Sequence, residues 1–149
     1  MIEPLRIGFD VECRPEHAFD VWTTRTSTWW PSSHTVSVEP GLEVVFEGRV
    51  GGRIFERTAS GAEHDWGEIT VWEPPRRLVY LWHLRVDRAD ATEVEITFHD
   101  RGTAGTRVEI EHRGWERLGT DGIARRDANR AGWGRLLPHF VEEAQRVGS

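Results

Sequence analysis

Two consecutive segments in the second half of the chain alternate between apolar and polar residues, and this pattern constrains the fold more than any other feature of the sequence. Apolar side chains take every second position in residues 93–98, and in residues 106–113 they alternate with arginine and glutamate. Successive side chains of a β-strand point to opposite faces, so each segment is predicted to be a strand with one covered and one solvated face. The glycine-containing segment 101–105 between them favours a hairpin turn.

Further segments of strand character predict that this hairpin belongs to a larger antiparallel sheet. The first of them, Leu5 to Cys13, alternates cleanly and places Cys13 inside as a small apolar side chain. Turns are predicted at Gly51-Gly52 and at residues 73–76, where the sequence is Glu-Pro-Pro-Arg. The predicted strands cover residues 5–13, 42–46, 53–58, 64–72, 78–84, 93–98 and 106–113.

Helical patterns flank these strands, and only the C-terminal one is long enough to cover a sheet. A helix is predicted to begin at Pro15, and a second short helix is predicted from Thr26 to Trp30. From about Asp127 to Arg146 apolar residues recur at helical spacing, and Pro138 should bend this helix near Gly134 at a cost of about 3 kcal/mol unless other contacts compensate. The predicted fold class is α+β, with a curved antiparallel sheet wrapped around a long C-terminal helix and two short helices after the first strand, in a single domain over residues 1–149.

Composition excludes several functional classes. All 19 basic residues are arginine, and the absence of lysine excludes a Walker-type phosphate loop and a Schiff-base lysine. The net charge of −6, with arginine interleaved among acidic residues, argues against a nucleic-acid partner. No run approaches the roughly 18 apolar residues of a membrane span and no signal peptide is recognisable, so a cytoplasmic protein is expected.

The sequence predicts no metal site, no cofactor and no nucleophilic site. Cys13 is the single cysteine, which excludes an intramolecular disulfide and a cysteine-based zinc site. The seven histidines are scattered over different predicted elements, without the spacing of a metal motif. A G-x-S-x-G motif is missing, and no helix N-terminus or cation is placed to activate Cys13.

Several short motifs occur in an order and spacing that resemble a known family. The resemblance runs nearly from end to end of the chain and depends on the ordered set rather than on one motif. The motifs are Trp22-Thr23, Trp29-Trp30-Pro31, Gly51-Gly52-Arg53 ending at Glu56, Gly67-Glu68-Ile69, Glu73 to Leu78 followed by Tyr80 and Trp82, Gly105 to Val108 followed by His112, and Gly132-Trp133. In this arrangement the sequence resembles the family similar to the C-terminal domain of the heat-shock-protein-90 ATPase activator, within the START-like (SRPBCC) superfamily.

The resemblance implies a helix-grip (Bet v 1-like) fold with a deep apolar cavity between the sheet and the C-terminal helix. Members of the superfamily bind lipids, plant hormones or polyketides, and some act as cyclases or aromatases. The partner implied here is a small hydrophobic molecule, namely a lipid, a polyketide or an aromatic compound. The eukaryotic activators carry an extra N-terminal domain that binds the chaperone, for which this chain has no room, so a chaperone partner is not expected. A homodimer is compatible with a sheet of this kind.

The eight tryptophans either fill the core or line such a cavity. Tyr80 and Trp82 share one face of their strand, and if that face points inwards they lie beside the C-terminal helix. Trp29 and Trp30 would then stand at the cavity mouth, and aromatic walls with a few polar groups are typical of small-molecule sites. The residues predicted to line the cavity are Trp29, Trp30, Phe55, Tyr80, Trp82, Val108, His112, Trp133, Leu136 and Phe140.

A structural role and a catalytic role are both open for His112 and Glu56. Alternation places His112 on the covered face, where it is either a core imidazole bonded to a neighbour or a cavity histidine that hydrogen-bonds a ligand or acts as an acid or base. Alternation does not decide the face of Glu56, which is expected to pair with an arginine if it is buried.

Three functional interpretations therefore follow from the sequence. The leading one is a protein that holds a small hydrophobic ligand in its internal cavity. The first alternative is a cyclase- or aromatase-like enzyme in which the same cavity orients the substrate and His112 or Glu56 moves protons. The second is a chaperone-regulating interaction module, which needs an exposed apolar patch.

Overall fold

The strands predicted from alternation form one sheet in the computed structural model, which describes residues 2–84 and 86–146. The strands are β1 (Leu5–Val11), β2 (Glu43–Phe46), β3 (Arg53–Arg57), β4 (Glu63–Glu73), β5 (Arg77–Trp82), β6 (Thr92–Asp100) and β7 (Thr106–Arg113). They lie in the order β1-β7-β6-β5-β4-β3-β2, and every neighbouring pair is antiparallel. The sheet is therefore open, with β1 and β2 at its two edges.

The register of β6 and β7 accounts for the alternation in the sequence. Val94 pairs with His112 and Ile96 pairs with Ile110, and all four side chains are buried on the inner face. The residues between them are charged and lie on the outer face, where Arg113 forms three ion pairs. Its carboxylate partners are Glu93 at 2.8 Å, Glu95 at 2.7 Å and Glu111 at 3.0 Å.

Two α-helices, α1 (Pro15–Thr23) and α2 (Gly122–Ala144), cover the inner face of the sheet. Phe140 of α2 is fully buried between β1 and α1. Its ring centroid lies 6.1 Å from that of Phe9 in β1 and 4.9 Å from that of Trp22 in α1. The core thus lies between a curved antiparallel sheet and the long C-terminal helix. This confirms the predicted α+β helix-grip fold.

The helices differ from the prediction in two details. Helix α2 begins at Gly122 rather than near Asp127. The second short helix is a 3₁₀ turn at Thr26–Thr28, because Trp29 with φ of −130° lies outside the helical region. Another 3₁₀ turn follows at Ser32–His34.

Cys13 is buried just beyond the end of β1, and burial raises the pKa of its thiol. The nucleophilic thiolate is therefore disfavoured. Within residues 2–84 and 86–146, histidine, cysteine, aspartate and glutamate side chains do not gather in groups of three or more that could hold a metal ion. The helices of the same residues are too short or too polar to cross a membrane.

Candidate functional site

Five of the eight tryptophans form a chain of touching rings on the inner side of the sheet. Trp22 lies 5.1 Å from Trp29, measured between ring centroids, and Trp29 lies 5.4 Å from Trp30. Trp30 in turn lies 5.0 Å from Trp66 and 5.8 Å from Trp82. At these separations the rings pack directly against one another.

One end of this aromatic chain opens into a pocket of about 450 Å³. That volume is in the range of small-molecule sites. The pocket lies between the end of β5, the loop that follows α1 and the middle of α2. The described residues that line it are Trp30, Ser33, His34, Trp82, Leu84, Asn129, Gly132, Trp133, Arg135 and Leu136.

Helix α2 presents one stripe to the pocket. Asn129, Gly132, Trp133 and Leu136 are spaced i, i+3, i+4 and i+7, which places them on one side of an α-helix. Trp133 and Leu136 are both 4 % exposed, so they form an apolar floor. A Cβ atom built on Gly132 meets no other atom within 4 Å, which means that this glycine faces open space rather than a close neighbour.

The opposite wall comes from Trp30 and Trp82. The indole nitrogen of Trp30 donates to the carbonyl oxygen of His34 at 3.0 Å, and this bond holds the ring across the turn that contains Ser33 and His34. Trp82 is half-buried at the end of β5, where its ring also touches Trp66 and Tyr80. The site therefore combines an aromatic and aliphatic floor with polar groups at its rim.

Four of the residues predicted to line a cavity, Trp30, Trp82, Trp133 and Leu136, meet in this pocket. Five others are buried in the core and do not line it. These are Trp29, Tyr80, Val108, His112 and Phe140.

Phe55 lies away from the pocket for a different reason. Its ring is covered by the guanidinium groups of Arg53, at 4.1 Å, and Arg57, at 5.3 Å, both on its own strand β3. Ile54 and Glu56, which alternate with these residues, are fully buried. Phe55 therefore stacks with arginines on the opposite side of β3 from Glu56.

His112 is held in the core by two side-chain hydrogen bonds. Its Nδ1 accepts from the indole nitrogen of Trp133 at 3.1 Å, and its Nε2 lies 2.7 Å from the hydroxyl of Thr92. An indole nitrogen can only donate, so Nδ1 carries no proton and the neutral ring is protonated at Nε2. Burial lowers the pKa of His112 to about 3, which keeps the imidazole neutral. His112 therefore orients Trp133 from behind the pocket floor.

Glu56 is fully buried, and its partners differ from the arginine that the sequence predicted. Its carboxylate accepts the backbone N–H groups of Val36 at 2.6 Å and Ser37 at 2.8 Å and the indole N–H of Trp66 at 2.7 Å. Among the described residues it has no ion pair with arginine, because N–H donors of a neighbouring loop satisfy it instead. Burial alone would raise the pKa of Glu56, but hydrogen bonds from Ser37, Val36 and Trp66 outweigh it and lower the pKa.

The loop that Glu56 holds is strained. Val38 has φ of 59°, in the left-handed region where a β-branched residue is strongly disfavoured, at a cost of about 1–3 kcal/mol. The hydroxyl of Thr35 accepts the N–H of Val38 at 3.0 Å. The same loop supplies Ser33 and His34 to the pocket, so Glu56 anchors part of the pocket rim.

Sequence reasoning did not identify Ser33, His34, Leu84, Asn129, Gly132 and Arg135 as lining residues. The helical spacing of Asn129 and Gly132 relative to Trp133 was a usable signal for two of them. No periodic pattern exists in the loop that carries Ser33 and His34, so only the three-dimensional structure reveals these two.

The model of one protein family, described as Activator of Hsp90 ATPase homolog 1-like protein, matches residues 12–145. This chain belongs to that family. The match confirms the resemblance seen in the sequence motifs. Among curated proteins, none matches the chain significantly.

Solved structures give more detailed relationships. The anthrahydroquino-γ-pyrone synthase Txn09, complexed with SUM, is 37% identical, and the match covers 83% of this chain and 84% of that one with a TM-score of 0.59. CalC, a self-sacrificing resistance protein from Micromonospora echinospora, is 29% identical over 95% of this chain and 94% of its own, with a TM-score of 0.70. The Aha1 dimer from Colwellia psychrerythraea is 16% identical over 100% of both chains, with a TM-score of 0.70, and shows the same fold.

Proposed function

We propose that this protein binds a small hydrophobic molecule with an aromatic ring in the pocket between β5 and α2. The observation that carries the proposal is the meeting of three tryptophans and a leucine, Trp30, Trp82, Trp133 and Leu136, around a pocket of about 450 Å³. Flat aromatic surfaces favour flat ligands, because stacked and edge-on ring contacts add to the burial of apolar area. The polar groups of the rim would orient the ligand.

An enzyme of the cyclase or aromatase kind is the second candidate, and the 37% identity to the synthase Txn09 supports it. His112 and Glu56, the proton-transfer candidates from the sequence, do not line the pocket, and each is engaged by hydrogen bonds in the core. Among the described residues that line the pocket, His34 carries the imidazole, the side chain that most often serves as a general acid or base. In such an enzyme the aromatic floor would position the substrate and His34 would serve as the acid or base.

Binding can be tested through the indole N–H signals in proton–nitrogen correlation spectra of the labelled protein. Addition of naphthol should shift the signals of Trp30, Trp82 and Trp133. Trp72 is an internal control, because it lies at a separate surface depression with Phe19 and Pro74. Shifts confined to Trp72, or no shifts with naphthol and anthraquinone derivatives, would contradict the proposal.

The enzyme is distinguished from the binding protein by the fate of the ligand. Catalysis would be established if the wild-type protein converts a bound aromatic precursor and His34→Ala does not. The control is His139→Ala, at an exposed position of α2, which should keep the conversion. Unchanged ligand recovered from the wild-type complex would support binding alone.

A homodimer and a cytoplasmic location are also part of the proposal. The Colwellia psychrerythraea relative is described as a dimer, which supports the first. Sedimentation equilibrium would test it, and a monomer at every concentration would contradict it. A chaperone partner has less support, because the outer face of the sheet is covered by ion pairs such as those of Arg113.

A further inference from the structure

The charges around the pocket are unlike those of the rest of the molecule. The protein as a whole carries a net charge of −6. Among the described residues that line the pocket there is no aspartate or glutamate, and the one permanently charged side chain is Arg135. The low-dielectric indole walls weaken the screening of this charge by water, so its field extends into the pocket.

Arg135 also differs from the arginines of the sheet, because it has no acidic partner among the residues that the structure describes. The residues three and four positions away on α2 are Ala131, Gly132, Pro138 and His139, none of which is acidic. Within residues 2–84 and 86–146, no carboxylate lies close enough to form an ion pair with it. By contrast, Arg113 has three such partners and Arg53 has two.

We infer that the ligand of this pocket is an aromatic compound with an acidic oxygen, a carboxylate or an acidic phenol, and that Arg135 pairs with it. This inference rests on the proposed function and specifies its ligand. The ring lies on the floor formed by Trp133 and Leu136, with Trp82 as the facing wall. The anionic oxygen lies at the rim, next to the guanidinium group.

The placement of the two ends of the ligand follows from the cost of desolvation. A charged group on the apolar floor would lose its hydration without a partner, which is strongly unfavourable. At the rim the same group keeps part of its hydration and meets a planar guanidinium, which binds carboxylates through two parallel hydrogen bonds. A neutral ligand of the same shape leaves Arg135 unpaired and therefore binds more weakly.

Isothermal titration calorimetry with naphthoate and its neutral amide, naphthamide, tests this inference on the full chain. At low ionic strength the wild-type protein should bind naphthoate about fivefold more tightly than naphthamide, the size expected for an ion pair at a surface rim. The preference should shrink with added salt, because exposed charges are screened.

Two substitutions test whether Arg135 causes the preference for naphthoate over naphthamide. Arg135→Gln should abolish it by weakening naphthoate alone, whereas Arg130→Gln should preserve it. Arg130 is the matched control because it is an exposed arginine on the same helix that does not line the pocket. Helix propensity hardly differs between arginine and glutamine, so both variants should fold.

The outcomes separate this inference from the function on which it rests. Equal binding of naphthoate and naphthamide by the wild type, or a preference that survives in Arg135→Gln, overturns the role of Arg135 and leaves aromatic binding intact. Failure of both compounds to bind overturns the proposed function as well.

Discussion

The indole nitrogen of Trp133 lies 3.1 Å from Nδ1 of His112, and this hydrogen bond joins the floor of the pocket to the centre of the sheet. The bond fixes the imidazole as the tautomer protonated at Nε2, which donates to the hydroxyl of Thr92. The Thr92 hydroxyl in turn lies 3.4 Å from the carbonyl oxygen of Trp82. Trp133 and Trp82, which both line the pocket, are thus connected through the side chains of His112 and Thr92.

Replacing His112 should change how stability depends on pH. Burial lowers the pKa of His112 from 6.5 to about 3 in the folded protein. Between these values the unfolded chain binds a proton that the folded chain does not, so the free energy of unfolding should fall by up to about 1.4 kcal/mol per pH unit as the pH decreases from 6.5. Above pH 6.5 this contribution is complete.

His112→Gln should flatten this dependence, because glutamine does not titrate but can still accept and donate a hydrogen bond. Urea unfolding between pH 7 and pH 5 measures the effect. His139→Gln, at an exposed position of α2, is the control and should keep the wild-type slope. An unchanged slope in His112→Gln would show that the histidine titrates freely.

Glu56→Gln should destabilise the protein by about 2 kcal/mol at neutral pH. The carboxylate accepts three N–H groups, and an amide in its place turns one acceptor oxygen into a donor that faces another donor. Because the pKa of Glu56 is lowered on folding, its contribution is complete above the ordinary value of 4.5 and is lost as the pH falls below it.

Urea unfolding at pH 7 tests the Glu56 prediction, with Glu43→Gln as a control. Glu43 is exposed on the neighbouring strand β2 and pairs with Arg57 at the surface, so its loss should cost less than about 1 kcal/mol. Equal effects of the two substitutions would mean that the loop does not depend on Glu56.

Gly132→Ala and Gly134→Ala should each stabilise the protein by about 0.5–1 kcal/mol. Both glycines lie inside α2, where alanine is the better helix former, and a Cβ at either position meets no atom within 4 Å. Thermal unfolding should therefore show similar increases for the two variants.

Leucine at the same two positions should separate stability from ligand binding. Gly132 lines the pocket and Gly134 does not, so Gly132→Leu should weaken naphthol binding on the order of tenfold while Gly134→Leu leaves it unchanged. Calorimetric titration measures both. Equal affinities of Gly132→Leu and Gly134→Leu for naphthol would show that naphthol does not bind in this pocket.

Pro138→Ala should raise the free energy of unfolding by up to about 3 kcal/mol, because alanine restores a backbone N–H inside α2 and is the better residue for a helix interior. Pro40→Ala is the control, and it should lower the free energy of unfolding rather than raise it. Pro40 is exposed in a loop, and its loss should destabilise slightly by loosening the unfolded chain. No gain in Pro138→Ala would indicate that the helix backbone already compensates for the ring.

Most of the fold was predictable because its signals are local. Alternation in Leu5–Val11 and Thr106–Arg113, and helical spacing around Trp133, each follow from the geometry of a single element. The site was predictable where such an element carries an apolar residue into the pocket, as β5 does with Trp82 and α2 does with Trp133 and Leu136.

The remaining features depend on contacts between distant segments. Alternation did not decide the face of Glu56 because both sides of β3 carry an apolar residue, and Phe55 was predicted to line the cavity although it lies on the opposite side of the strand from Glu56. The register also shifts between Ile54 and Phe55. The partners of Glu56 are backbone amides, which have no sequence signature. Arg135 is one of 19 arginines, and only the structure shows that no carboxylate of a distant described segment lies beside it.

The contiguous tryptophan rings have a spectroscopic consequence. Indole rings whose centroids lie 5.0–5.8 Å apart are close enough to pass electronic excitation to one another, so energy absorbed at Trp22 or Trp29 should reach Trp30, Trp66 and Trp82. A ligand that contacts Trp30 and Trp82 in the pocket should therefore also quench emission from Trp22, Trp29 and Trp66, which do not line the pocket. Tryptophan emission would therefore report on occupancy of the proposed pocket without an added dye.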